Sequence, residues 1–156
     1  MNAPQRDIRG VMITVGQGRM LLPNASVAEV ITFSDPEPVE NAPDWMLGRI
    51  RWRGWRLPLV SFSRLAGWSQ EGGQLGAKVV VLKALGGNPR LPYFAVISQG
   101  FPRLVTVSRT GLAEVRDGKS QPLGIHSQVM LNDDAAVVPD LASLELLIEK
   151  VLAQAA

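Results

Sequence analysis

The sequence predicts a mainly β protein closed by one C-terminal helix. Three observations carry that expectation. Short apolar runs with alternating polarity recur along the chain, glycine and asparagine turns separate them, and a helical period appears only after residue 140. The most informative run is Gly48 to Phe62, GRIRWRGWRLPLVSF. Ile50 and Trp52 alternate with Arg49, Arg51 and Arg53, which predicts a half-buried strand with a cationic outer face. Gly54 breaks the run, and Leu57 and Leu59 resume the alternation up to Ser61, with Val60 and Phe62 supplying strand-favouring side chains. A hairpin is therefore expected, turning at or near Arg53-Gly54.

The other elements follow in order. After a loose tail, Gly10 to Val15 and Arg19 to Leu22 read as paired strands around a Gly16-Gln17-Gly18 turn. Val27 to Thr32 is an apolar run carrying a single carboxylate, Glu29, which on residue type alone is expected to point outward from an edge strand. Asp35 to Asp44 holds three prolines and four acids and no base, the composition of an irregular acidic loop. Such a loop can match Arg49, Arg51, Arg53 and Arg56 within the chain. A polar, glycine-rich connection is expected at about 69–76. It separates a first lobe at about 11–68 from a second at about 77–138. In the second lobe Lys78 to Leu82, Leu91 to Ser98 and Leu104 to Val107 read as strands. Thr110 to Gln121 is polar and turn-rich, and Gln128 to Leu131 and Ala135 to Val138 flank a turn at Asn132-Asp133-Asp134. The helix is expected at about 140–153: Asp140 can cap it, and Leu141, Leu144, Leu147, Ile148, Val151 and Leu152 recur at helical spacing. That stripe reads as cover for the β core.

Composition narrows the function. The chain of 156 residues is long enough to bury a sizeable core, and it has no cysteine, which excludes disulfides, thiolate metal sites and cysteine nucleophiles. A reducing compartment, hence the cytoplasm, is the expectation. The first ten residues lack the apolar core of a signal peptide, and no apolar run approaches a membrane span, so no direct membrane insertion is expected. A net charge of +2 is too small to argue for nucleic acid by itself.

Catalytic chemistry is hard to assemble. His126 is the sole histidine and has no serine or acidic partner at recognisable spacing. Gly16-Gln17-Gly18 lacks the third glycine and following helix of a dinucleotide fingerprint, and Asp133-Asp134 reads as a solvated turn. No catalytic residue, cofactor or metal site is expected. The alternative to an interaction protein is a small-barrel nucleic-acid binder, using the arginines of the hairpin with Trp52 and Trp55 as stacking groups. The periodicity of Ile50 and Trp52 argues for core instead, so no nucleic-acid partner is expected.

At this hairpin the sequence resembles a known family. Gly48-Arg49-Ile50-Arg51-Trp52-Arg53-Gly54 followed by Leu57-Pro58-Leu59-Val60 is similar to the GLINLRG…PVIDL signature of CheW-like proteins, the adaptors of bacterial chemosensory arrays. Val27-Ala28-Glu29-Val30 resembles that family's V-x-E-I segment, and Pro36 to Pro43 its proline-containing loop. The likeness runs from about Val11 to Leu152. LLPNASVAEV and the W-R-G form of the motif look most like the ChpC/PilI-type branch of type IV pilus, twitching-motility systems. Here Arg51, Trp52 and Ser61 replace the signature's Asn, Leu and Asp, and Ser98 replaces a further Asp of the second lobe.

The resemblance implies two small five-stranded barrels of Src-homology-three-like type sharing an apolar core, with the C-terminal helix covering the assembly. It implies a non-catalytic adaptor, recruited to membrane-associated receptor arrays, that bridges the cytoplasmic tip of methyl-accepting chemoreceptors to the regulatory domain of the histidine kinase CheA. Glu29 and Arg53 fall on the family's two polar motif positions, where an ion pair can orient the receptor-binding face. Val27, Ile31, Leu57 and Leu59 are the apolar candidates for partner contact near the lobe junction.

Overall fold

The computed structural model describes residues 7–16, 18–68, 76–115 and 124–154. Positions 1–6 of the expected tail, Gln17 of the glycine turn, 69–75 of the expected connection and 116–121 of the polar stretch lie outside the described residues. In chain order the elements are β1 (Ile8–Val15), β2 (Gly18–Pro23), a 3-10 turn (Asn24–Ser26), β3 (Val27–Thr32), β4 (Met46–Trp52) and β5 (Trp55–Val60). Then come the one-turn helix α1 (Phe62–Leu65), β6 (Ala77–Lys83), β7 (Tyr93–Gln99), β8 (Arg103–Val107), β9 (Leu112–Val115), β10 (Ile125–Leu131), β11 (Asp134–Pro139) and α2 (Leu141–Gln154).

The strands form two sheets, and the mainly β expectation holds. One sheet runs β3-β6-β7-β5-β4 and the other β8-β1-β2-β11-β10-β9. The second therefore has six strands among the described residues, one more than the five expected. Pairing also crosses the expected 69–76 connection: β6 and β7 join β3, β4 and β5, while β1 and β2 join β10 and β11. The sheets are thus not the sequential stretches 11–68 and 77–138. Local patterning shows which residues form strands, whereas partner choice is set by packing between distant segments.

Both sheets are curled. Strands β8 and β9 are opposite edges of the six-stranded sheet, yet only residues 108–111 join them. That connection spans at most about 18 Å, and a flat sheet of this width would separate its edges by about 24 Å. The interior of this sheet is filled by Met12, Leu21, Val129, Leu131 and Ala136, and that of the five-stranded sheet by Ile50, Trp52, Leu57, Leu59, Val79, Val81, Ala95 and Ile97.

A third core lies between the sheets and under the helix. Val11, Ile13 and Val15 of β1 pack there with Val80 and Leu82 of β6, Phe94 and Val96 of β7, and Leu144 and Ile148 of α2. Strands β6 and β7 thus bury both faces, Val79 and Val81 inward and Val80 and Leu82 toward the partner sheet. This explains why Val79 to Leu82 is a continuous apolar run.

Asp140 caps α2 as its position predicts: Oδ1 accepts from the Ser143 backbone N–H at 3.1 Å and Oδ2 from the Ser143 hydroxyl at 2.8 Å. The helix also carries a buried carboxylate, Glu145, 3% exposed, whose Oε1 accepts from the Leu85 backbone N–H at 2.5 Å. One turn on, Glu149 Oε1 accepts from the Asn88 side-chain amide at 3.0 Å. The helix therefore holds the loop between β6 and β7 through polar contacts as well as apolar ones.

Two local expectations are corrected. Phe62 belongs to α1 and not to a strand, because Ser61 accepts a hydrogen bond from the Arg64 N–H and turns the chain as a helix cap. Within the turn-rich stretch Thr110 to Gln121, Leu112 to Val115 pair with β10 as an edge strand whose four residues are all exposed, so burial leaves no alternation to read.

Candidate functional site

The β4–β5 hairpin turns through Arg53 and Gly54, with Trp52 opposite Trp55. Both turn residues have positive φ, 47° at Arg53 and 81° at Gly54, the backbone of a two-residue turn whose twist matches its strands. At the other end of β4, Gly48 has φ 143° and lies against the Glu37 carbonyl, where any side chain would overlap it. That close approach allows Glu37 and Arg49 to exchange two backbone hydrogen bonds of 2.8 Å, which pin the acidic loop to the hairpin.

Glu29 of β3 is the centre of the arrangement. Its Oε1 accepts from Arg53 Nη2 at 2.6 Å and its Oε2 from Trp52 Nε1 at 2.9 Å. The Arg53 guanidinium also sits 4.9 Å from the Trp52 ring centroid, and Trp52 meets Tyr93 edge-to-face at 4.9 Å. These donors hold the Glu29 carboxyl below its ordinary range, the Trp52 bond contributing most and the Arg53 bond next. Since β3 and β4 are opposite edges of a five-stranded sheet, a flat sheet would place them about 19 Å apart. The Glu29 contacts therefore join the two edges of a curled sheet.

The expected ion pair of Glu29 and Arg53 is present in the geometry, and Glu29 does face solvent in part, from an edge strand. Trp52 was missed as its third member. The available signal was an inward-facing tryptophan beside the motif arginine, since a buried indole N–H needs an acceptor.

The apolar candidates divide. Leu57 and Leu59 are 1% and 0% exposed and line the interior of the five-stranded sheet, so in this conformation they hold the barrel and offer no surface. Alternation with Arg56 and Pro58 is what turns them inward. Val27 and Ile31 are half-buried on edge strand β3, packed beside the inter-sheet core and the sheet interior respectively.

Of the four arginines expected to match the acidic loop, Arg56 does so, its Nη2 lying 2.5 Å from Glu37 Oε2; outside that set, Arg64 donates to the Asp44 backbone carbonyl at 3.1 Å. Of the two tryptophans offered as stacking groups, Trp52 is 7% exposed and Trp55 41%. A nucleic-acid face thus retains one of its two rings. His126 is exposed and its Nδ1 lies 3.2 Å from the Ser127 hydroxyl. Among the described residues, no group of three His, Asp or Glu side chains converges as a metal site, and no helix is long and apolar enough to cross a membrane.

A search of the curated proteins gives no significant match. Among solved structures, the fold is similar to the crystal structure of the scaffolding protein TtCheW from Thermoanaerobacter tengcongensis, with a TM-score of 0.72 at 13% identity, covering 87% of this chain and 90% of that one. The sequence itself matches the CheW-like domain over residues 9–146, which takes in both sheets and the first turns of α2. The chain belongs to the CheW-like domain family.

Proposed function

We propose that the protein is a non-catalytic adaptor of a chemosensory array, coupling the cytoplasmic tip of methyl-accepting receptors to the regulatory domain of a CheA-type histidine kinase. The observation that carries this reading is the Glu29–Arg53 pair, with Glu29 also bonded by Trp52, at the joined edges of the five-stranded sheet. A fixed ion pair at an exposed edge sets docking register, while apolar area supplies affinity. Val27 and Ile31 are the apolar contacts that flank it on β3. The ChpC/PilI-type sequence features, LLPNASVAEV and the W-R-G motif, support placement in a type IV pilus twitching-motility system, acting on the cytoplasmic side of the membrane.

Pull-down with a receptor cytoplasmic tip and a kinase regulatory domain tests the reading. Both should be retained by the wild-type chain, and Arg53→Ala should weaken retention of the receptor and reduce twitching. Failure to bind either, with motility unchanged in Arg53→Ala, would refute it.

A further inference from the structure

The outer face of the β4–β5 hairpin carries more cationic charge than the chain itself matches. Arg51 stands directly opposite Arg56 in the antiparallel register, a like-charged pair that repels unless an anion lies between. Glu37 engages Arg56, and Glu29 engages Arg53. Arg49 and Arg51 have no side-chain hydrogen bond or ion pair among the described residues, and neither has Asp35. Arg49, Arg51 and Arg56 line a depression of about 250 Å³ together with Asp35 and Glu37.

We propose that this depression receives a carboxylate side chain from an acidic segment of a partner protein, bound between Arg49 and Arg51. The chemistry of the occupant is argued from the hairpin's existing tenants: each of its two paired arginines already holds a carboxylate. A guanidinium fork matches a carboxylate in two parallel bonds, and a single such group fits a small depression. A nucleic acid fits less well. Its repeated phosphates would run past the four carboxylates of the Asp35 to Asp44 loop, and Trp52 is committed to the core. Such a site acts whichever protein brings the carboxylate, so it stands or falls apart from the receptor and kinase assignment.

Fluorescence anisotropy of the full chain with a short labelled glutamate-rich peptide tests the site at low salt, alongside a single-stranded oligonucleotide of equal charge. The peptide should bind, and Arg51→Glu or Arg49→Glu should weaken it about tenfold, the equivalent of one charge-assisted contact. Arg51→Gln, which deletes the charge without reversing it, should show a smaller loss. Arg109→Glu, at an exposed arginine between β8 and β9, should leave binding unchanged. Absence of peptide binding, or equal losses in Arg51→Glu and Arg109→Glu, would overturn the proposal. So would tighter binding of the oligonucleotide that is lost in Arg51→Glu, which would reassign the site to phosphate.

Discussion

Arg53 Nη2 lies 2.6 Å from Glu29 Oε1, although Glu29 sits on one edge strand of the five-stranded sheet and Arg53 in the turn that leaves the opposite edge strand. The contact is possible because the sheet curls, and it is exposed enough that its Coulomb energy is small. Its effect is geometric: it fixes where one cation and one anion sit on the surface.

Arg53 combines an ion-paired side chain with a left-handed backbone, and two substitutions separate them. At φ 47° a non-glycine residue is held in the left-handed region at a cost of about 1 kcal/mol. Arg53→Gly should therefore be more stable than Arg53→Ala by about that amount in urea unfolding. Both should lose receptor binding equally. If only the alanine variant loses it, hairpin geometry and not the guanidinium is what the partner reads.

Acid should release the Glu29 contacts. Hydrogen bonds from Trp52 and Arg53 hold the folded-state pKa of Glu29 below its ordinary value of 4.5. The stabilisation is then fully present above 4.5 and is lost as pH falls through the lower folded-state value. Urea midpoints of wild type and Glu29→Gln should differ at neutral pH and converge on acidification. A difference that persists unchanged in acid would show that the charge of Glu29 plays no part.

Leu59 should behave as core. It is fully buried in the sheet interior, and Leu59→Ala should cost about 2–5 kcal/mol in urea unfolding. Partner affinity, measured where the variant remains folded, should stay at the wild-type level. A selective loss of binding with little loss of stability would place Leu59 at an interface instead.

Glu145 should matter through the neighbour it satisfies. Glu145→Ala leaves the Leu85 N–H without its acceptor and should cost about 1–3 kcal/mol, whereas Glu145→Gln retains an acceptor oxygen and should cost less. Amide exchange at Leu85 should accelerate in the alanine variant well before the rest of the chain opens. Equal destabilisation by both substitutions would make the charge, and not the hydrogen bond, responsible.

Local structure was legible where chemistry is local. The Arg53-Gly54 turn, the Asp140 cap and the strand at Lys78 to Leu82 follow from residue type and period alone. The Glu29–Arg53 pair was legible only through the family motif, because a strand residue and a turn residue 24 positions apart meet only through sheet curl. Trp52 as a donor to Glu29 was hidden by its inward period, which reports burial of the ring but not the direction of its N–H. Strand β9 left no trace because both of its faces are exposed. Sheet membership was the least legible feature, since nothing in Val11–Leu22 states that its distant partners are Arg103–Val107 and Asp134–Pro139.

That last feature constrains how the chain acquires its shape. All strands of the five-stranded sheet lie within residues 27–99, so that sheet can close on a partly synthesised chain. The six-stranded sheet joins β2 to β11, and its first-made hairpin has no neighbour on that side until about residue 139 has emerged. Until then β2 presents an unpaired edge, the kind of surface on which chains join wrongly. The shared core thus gains its last members late in synthesis, and all strands of the sheet bearing Glu29 and Arg53 are made before the last strands of the sheet packed against it.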